Sequence, residues 1–143
     1  SEEEIKSYEK KAEEYAAEKA ALFAMKEQPS VSTDGHKVLL VGNIGSPADV
    51  DGVLANGGEG VGLFRSEFLY IKREDDFPNE ETQYAAYKEV LERMEGKPVV
   101  IRTLDIGGDK KLNYYSFPEE MNPFLGVRAV RFCLMRKDIF RVQ

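Results

Sequence analysis

The sequence predicts an α/β fold built on a parallel sheet, and two features of its hydrophobic pattern predict this. Short apolar runs of strand length alternate along the chain with longer amphipathic segments of helical periodicity. The short runs are apolar at successive positions, which is typical of strands that helices cover on both faces. The residues alone leave open whether the sheet is open and doubly wound or is a piece of a barrel.

The N-terminal segment predicts one long helix. Residues 2–26 contain no Gly or Pro and are rich in Ala, Glu and Lys. Pro29 and the Ser, Thr, Asp and Gly residues up to Gly35 end this helix, which predicts a domain boundary near Ser30. The apolar stripe lacks strong core residues and is interrupted by Lys19. We therefore favour a helix that lies on its own domain or bridges two domains over a coiled coil that pairs with a partner.

The next segments predict two strands with a helix between them. Residues 37–44 form a continuous apolar run and predict the first strand. Ser46 and Pro47 have the properties of an N-cap and a first helical residue, and the helix that they start ends near Asn56. After a glycine-rich turn, Val61–Arg65 predicts a second short, buried strand.

A third strand and two further helices continue the alternation. Asn79, followed by two glutamates, predicts the start of a helix that continues to about Met94, and Gly96 ends it. Residues 97–104 predict the third strand, and residues 126–135 predict another helix.

Two arginines lie at the carboxyl ends of predicted strands, where ligands bind in parallel α/β folds. Arg65 ends the second strand, and Arg102 lies near the end of the third. A guanidinium binds phosphate or carboxylate through two parallel hydrogen bonds, which a lysine cannot reproduce. The alternative interpretation is that each arginine pairs with a nearby carboxylate such as Glu67 or Asp105.

The loop after the third strand adds flexibility and positive charge. Gly107 and Gly108 permit close approach of the backbone, and Lys110 and Lys111 supply two cations. The spacing does not match a Walker loop, and the glycines before the second strand do not form a dinucleotide fingerprint. A nucleotide-binding function is therefore disfavoured.

Asp105 and Arg128 are further candidate ligand-binding residues at the carboxyl ends of the strands, which we call the rim. Asp105 has two interpretations: it orients Arg102 or a substrate, or it caps a turn. Arg128 is the third arginine that we expect there.

Two potentially reactive side chains receive no catalytic role. His36 lies in a predicted surface turn before the first strand, and Cys133 lies among apolar residues of a predicted helix with no histidine near it in sequence. We expect an exposed histidine and a small buried thiol.

Composition limits the partners. With 42% hydrophobic and 32% charged residues and no apolar run of membrane-spanning length, the chain is expected to be soluble, and a single cysteine agrees with the cytoplasm. A net charge of −6 disfavours nucleic acid and anionic membranes as partners. An anionic ligand must therefore be held by a local group of cations.

Three segments together resemble the phosphoenolpyruvate-utilising enzyme family. They are GEGVGLFRSEFLY, VVIRTLDIGGDKKL and EMNPFLGVRAVRFCL. The resemblance implies a linker helix over residues 1–29 and, over residues 30–143, the N-terminal part of a phosphoenolpyruvate-binding (β/α)8 TIM barrel. A complete barrel of this type needs about 250 residues, so we expect a truncated barrel.

The resemblance also implies roles for the arginines. Arg65 and Arg102 match the two arginines that grip the phosphate of phosphoenolpyruvate, and Arg128 matches a further active-site arginine. With Asp105 and Lys110 from the loop, they form the predicted substrate-binding set. No catalytic residue or metal ligand is predicted in this chain.

The implied reaction moves a phosphoryl group from phosphoenolpyruvate to a histidine in a separate domain and then to a phosphocarrier protein in sugar uptake. It implies Mg²⁺, with its ligands outside this chain, and a homodimeric parent protein; the chain alone is expected to be inactive. The alternatives are a fragment of phosphoenolpyruvate synthase or pyruvate phosphate dikinase, and a non-catalytic helical module for dimerisation or anion binding.

Overall fold

The computed structural model describes residues 1–108 and 110–143. These residues form two compact units, Ser1–Leu39 and Leu40–Gln143. The first unit contains helix α1 (Glu2–Ala24). The second contains the remaining elements, which in chain order are β1 (Gly42–Ile44), a 3₁₀ turn (Pro47–Asp49), α2 (Val50–Ala55), β2 (Val61–Arg65), α3 (Phe68–Ile71), α4 (Glu80–Arg93), β3 (Val99–Arg102), α5 (Ala129–Met135) and α6 (Lys137–Val142).

Helix α1 confirms the long N-terminal helix. It begins with a capping box in which the Ser1 hydroxyl accepts a hydrogen bond from the Glu4 N–H, and none of its residues is buried. The chain then turns at His36, whose N–H donates to the Ser32 hydroxyl at 3.0 Å. His36 is exposed, as predicted. The boundary near Ser30 between a linker helix and a barrel domain stays a prediction.

The three strands form one parallel sheet in the order β1-β2-β3. This confirms the predicted α/β class, and β2 has the predicted bounds. In the register, Phe64 pairs with Ile101 and Arg65 pairs with Arg102. The last residues of β2 and β3 therefore lie side by side.

The first strand is shorter than predicted. Only Gly42–Ile44 forms a strand, although the predicted run begins at Lys37. The ladder with β2 begins at Gly42, opposite Val61, and Lys37 instead forms an isolated antiparallel bridge with Val31. The apolar side chains of residues 38–41 are exposed, so the apolar pattern there does not reflect burial among the described residues.

The residues predicted to begin and end helix α4 do so, whereas the helix predicted for residues 126–135 is shorter than expected. Asn79 caps α4, because its Oδ1 accepts from the Thr82 N–H at 3.0 Å, and Gly96 follows the helix with a φ of +83°. The helix predicted for residues 126–135 begins only at Ala129, since the Glu120 carboxylate binds the Val127 N–H and holds a turn there. The short helix α3 was not predicted.

Two apolar cores hold the second unit together. One lies between the sheet and α4 and is built from Ile44, Val50, Val61, Phe64, Val90 and Met94. The other lies under the loops that follow β2 and β3 and is built from Tyr70, Leu104, Ile106, Leu112, Phe132, Cys133 and Ile139. Cys133 is buried, as predicted.

Across residues 1–108 and 110–143, no helix combines the length and the apolar character needed to cross a lipid bilayer.

Replacing Val90 by Ala should lower the free energy of unfolding by about 2 to 3 kcal/mol, because two buried methyl groups are removed and a cavity remains. Val90 is fully buried against the sheet, whereas the next residue of the same helix, Leu91, is 50% exposed. Leu91→Ala is therefore the matched control and should change stability by less than about 1 kcal/mol. Urea unfolding of both variants measures the difference, and equal losses would contradict this packing.

The Cys133 thiol should react slowly with a disulfide reagent in the folded chain. Burial raises its pKa, so little of the reactive thiolate is present at neutral pH. In denaturant the same thiol should react at the rate of a free cysteine, on the order of a hundredfold faster or more. Rapid labelling of the folded chain would show that this part of the core is open.

Candidate anion site

The site begins with the two arginines at the strand ends. Arg65 and Arg102 are register partners in β2 and β3, so their side chains leave the same face of the sheet. Their neighbours Phe64 and Ile101 pack into the core beneath α4. Because side chains alternate along a strand, both arginines lie on the face opposite α4, as the parallel topology predicts.

Arg102 is held by two carboxylates. Its guanidinium forms an ion pair with Glu67, and its Nη1 lies 3.3 Å from the Asp105 Oδ2. The ion pairs of the alternative interpretation are therefore present, and the predicted contact of Arg102 with a ligand stays a prediction. Its side chain is still 31% exposed, so the guanidinium is also open to solvent.

Lys110 joins the same two carboxylates. Its Nζ lies 2.9 Å from the Glu67 Oε1 and 3.0 Å from the Asp105 Oδ2. Gly107 and Lys110 form an isolated antiparallel bridge, which keeps the lysine near the strand ends. Lys110 thereby lies in the same group as Arg102.

Arg128 approaches from the start of α5. Its Nη2 lies 3.0 Å from the Asp105 Oδ1, and its guanidinium stacks over Phe124 with 4.9 Å between Cζ and the ring centroid. Gly107 makes this approach possible, because a Cβ at that position would lie 2.8 Å from the Arg128 Cβ. Gly107 also has a φ of +105°, which favours glycine. We call Glu67, Arg102, Asp105, Lys110 and Arg128 the charge cluster.

Asp105 is the centre of the charge cluster. Burial alone would raise its pKa, but hydrogen bonds from Arg128 and Lys110 and the charges of Lys110 and Arg102 outweigh burial. The pKa of Asp105 therefore lies below its ordinary value. The geometry fits the interpretation in which Asp105 orients Arg102; its predicted contact with a substrate stays a prediction.

Arg65 differs from the other cations of this rim. Among the described residues no carboxylate pairs with it, whereas its Nε, like that of Arg102, is buried without a hydrogen-bond partner. Its guanidinium stacks on Phe68, with 4.7 Å between Cζ and the ring centroid. Arg65 therefore carries a positive charge that no described side chain neutralises.

Three residues that the sequence did not assign to the site support it. Glu67 binds two members of the charge cluster, and the Ser66 hydroxyl donates to the Arg102 carbonyl at 2.6 Å. The Gln143 amide donates to the Ser66 Oγ at 3.1 Å and accepts from the Leu104 N–H at 2.8 Å. The arrangement Arg-Ser-Glu at a strand end is a local signal for Glu67, whereas Gln143 has none.

The described residues do not fit a metal ion. No group of three or more His, Cys, Asp or Glu residues that could hold one occurs across 1–108 and 110–143. The two carboxylates nearest the strand ends, Glu67 and Asp105, already pair with cations. We therefore derive no step of a reaction through a metal bound here.

The arrangement can bind an anion. Among residues 1–108 and 110–143, four cations at the rim face two carboxylates, an excess of positive charge although the chain carries a net charge of −6. A guanidinium group at the end of a rigid strand can donate two parallel hydrogen bonds to the oxygens of a phosphate or a carboxylate. The four cations are Arg65, Arg102, Lys110 and Arg128.

Replacing Asp105 by Asn should reduce the loss of stability in acid. The lowered pKa means that the ion pairs of Asp105 stabilise the fold above the ordinary aspartate pKa, and this stabilisation is lost as the pH falls through the lower pKa of the folded chain. Between about pH 5 and pH 2, the free energy of unfolding of D105N should therefore fall less than that of the wild type.

Urea unfolding at a series of pH values tests this expectation. Glu119→Gln is the control, because this exposed carboxylate forms no ion pair with a described residue and its replacement therefore breaks none. An identical profile for wild type and D105N would contradict the role of Asp105.

The chain is similar to known proteins over its whole length. Residues 19–143 match the family described as PEP-utilising enzyme, PEP-binding domain. The phosphoenolpyruvate-protein phosphotransferase of Priestia megaterium is 63% identical over 143 residues, which is 100% of this chain and 25% of the relative. The proteins of the same name from Bacillus subtilis (strain 168) and Staphylococcus aureus (strain MSSA476) are 60% and 55% identical, over 99% of this chain and 25% of each relative.

The chain thus spans about a quarter of the length of these relatives. The family match covers both strand-end arginines and the whole charge cluster. We conclude that this chain belongs to the family of phosphoenolpyruvate-utilising enzymes and matches their phosphoenolpyruvate-binding domain.

Proposed function

We propose that this chain supplies the phosphate-binding arginines of a phosphoenolpyruvate-protein phosphotransferase. In this proposal the complete protein transfers the phosphoryl group of phosphoenolpyruvate to one of its own histidines and then to a phosphocarrier protein that serves sugar uptake. The names of the relatives at 63% and 60% identity support this choice of reaction.

The observation that carries the proposal is that Arg65, beside Arg102, is paired with no carboxylate of the described residues. Register pairing brings these two arginines to adjacent strand ends, and no described carboxylate pairs with Arg65. Like charges on neighbouring strands repel each other, so an anion between them is the partner that the arrangement lacks. We propose that the phosphate of phosphoenolpyruvate binds there.

The cations also suit the reaction. The transferring phosphoryl group carries its charge on three oxygens, and enzymes accelerate its transfer chiefly by positioning and electrostatic stabilisation. In our proposal Arg65 and Arg102 hold the phosphate, Arg128 and Lys110 add positive charge, and Asp105 orients the cations. Mg²⁺, which would offset further negative charge when bound, takes its ligands from segments outside this chain.

The remaining expectations belong to the same proposal. The parallel sheet and its helices form the first part of a (β/α)8 barrel over residues 30–143, with residues 1–29 as a linker helix. The complete protein is a cytoplasmic homodimer that reaches its phosphocarrier partner through a separate domain. The chain alone binds phosphoenolpyruvate at best with a millimolar dissociation constant and does not turn it over.

A chimeric enzyme tests the proposal. The corresponding segment of the Bacillus subtilis relative, 60% identical over 141 residues, is replaced by this chain, and phosphorylation of the phosphocarrier from phosphoenolpyruvate is measured. The chimera should be active.

Arg102→Lys in this chimera keeps the charge but loses the two parallel hydrogen bonds of a guanidinium. It should lower kcat/KM by about a hundredfold or more with little change in Tm.

The matched control is Arg141→Lys in the last turn of α6, where the arginine is exposed. This variant should keep the activity of the chimera. An inactive but folded chimera would contradict the proposed function, and a fully active Arg102→Lys chimera would contradict the role of Arg102.

A further inference from the structure

Glu67 is a buried carboxylate at the edge of the proposed phosphate site. It follows Arg65 by two residues and directly precedes α3, with which its side chain forms no capping hydrogen bond. Its side chain is 0% exposed, and its Oε1 contacts both the Arg102 guanidinium and the Lys110 Nζ. Its other oxygen, Oε2, is buried and has no hydrogen-bond partner among the described residues.

Glu67 closes a ring of charges with Asp105. Arg102 contacts both carboxylates, and Lys110 also contacts both. Each cation is therefore fixed from two sides. Glu67 is the member of this ring that comes from the connection after β2, so it ties the end of that strand to β3 and to the loop beyond it.

The exposed fractions of the side chains distinguish the two cations, which solvent reaches, from Glu67, which it does not. Arg102 and Lys110 keep 31% and 24% of their side chains exposed, whereas Glu67 has none. A ligand in solvent can therefore reach the two cations but not Glu67. Burial of a carboxylate is costly unless cations compensate it, and here the compensating cations are those of the anion site.

We propose that Glu67 is a positioning residue that holds Arg102 and Lys110 in the orientation that binds phosphate. This inference rests on the proposed phosphate-binding function. It assigns to Glu67 no contact with the substrate; the carboxylate acts through the two cations.

The positioning role and simple electrostatics predict opposite changes in phosphate affinity when Glu67 is replaced. Removal of a negative charge beside an anion site makes the site more positive, which by itself strengthens phosphate binding. If Glu67 instead fixes the cations, its removal frees two long side chains, and binding must then pay their conformational entropy. Glu67→Gln should therefore weaken phosphate binding although the site gains positive charge.

The experiment uses the full chain and inorganic phosphate as the probe. We expect Glu67→Gln to bind phosphate roughly tenfold more weakly than the wild type, a loss typical of removing a supporting hydrogen-bond partner. Glu67→Asp keeps the charge but shortens the side chain, so it should weaken binding in the same direction. Glu74→Gln, at an exposed position, removes one negative charge elsewhere and should leave the affinity unchanged.

A second measurement needs no ligand. The NMR signal of the Arg102 Nε–H group should be well dispersed in the wild type and in Glu74→Gln, because the guanidinium is fixed. In Glu67→Gln it should move to the position of a free arginine side chain, while the signals of core residues stay in place.

The outcomes are distinct. Equal or tighter phosphate binding by Glu67→Gln, or an unchanged Arg102 signal in that variant, would overturn the positioning role. Absence of phosphate binding by the wild type up to about 0.1 M phosphate would contradict the proposed phosphate site of this chain, while the Arg102 signal of the ligand-free chain still decides the role of Glu67. If Glu67→Gln fails to fold, Glu67→Asp provides the same two measurements.

Discussion

The register that places Arg65 beside Arg102 is the constraint on which the rest of the site depends. Like charges on neighbouring strands repel each other, so a pair of strand-end arginines needs compensation. Glu67 and Asp105 provide it for Arg102 and leave Arg65 without a described carboxylate. The described carboxylates therefore compensate the charge of Arg102 but not that of Arg65, and the remaining positive charge attracts an anion.

Apolar packing fixes the polar side chains of this site. Leu104 and Ile106 are almost fully buried in the core beneath the loops, and Asp105 lies between them. Because both neighbours are anchored, the carboxylate is held on the other side of the backbone, where it meets Lys110 and Arg128. The same loop without that core would lose the fixed position of Asp105, since an exposed loop has few contacts that resist local opening. The apolar residues beneath the loops thus determine the geometry of the charges above them.

The parts of the site that could be predicted are those that follow from topology. Strand-end positions of Arg65 and Arg102 follow from the parallel arrangement alone, and their pairing is confirmed. Burial depends on contacts between distant residues, which explains two failures. Residues 38–41 are apolar yet lie outside the strand, and Gln143 reaches a partner 77 residues earlier in the chain. Glu67 could be identified as a neighbour of the arginines, but its complete burial could not be derived from its local sequence.

The contrast between the overall charge and the site explains why arginines are needed there. A net charge of −6 repels an anion at long range, but at physiological ionic strength this repulsion is screened over about 8 Å. Binding must then come from short-range hydrogen bonds, and the guanidinium supplies more of them in a fixed plane than an ammonium does. In the proposed function, selectivity follows from the same geometry, because an anion with several oxygens can accept hydrogen bonds from Arg65 and Arg102 together. The acidic surface and the proposed anion site are therefore compatible, since the net charge acts at long range and the guanidinium hydrogen bonds act at short range.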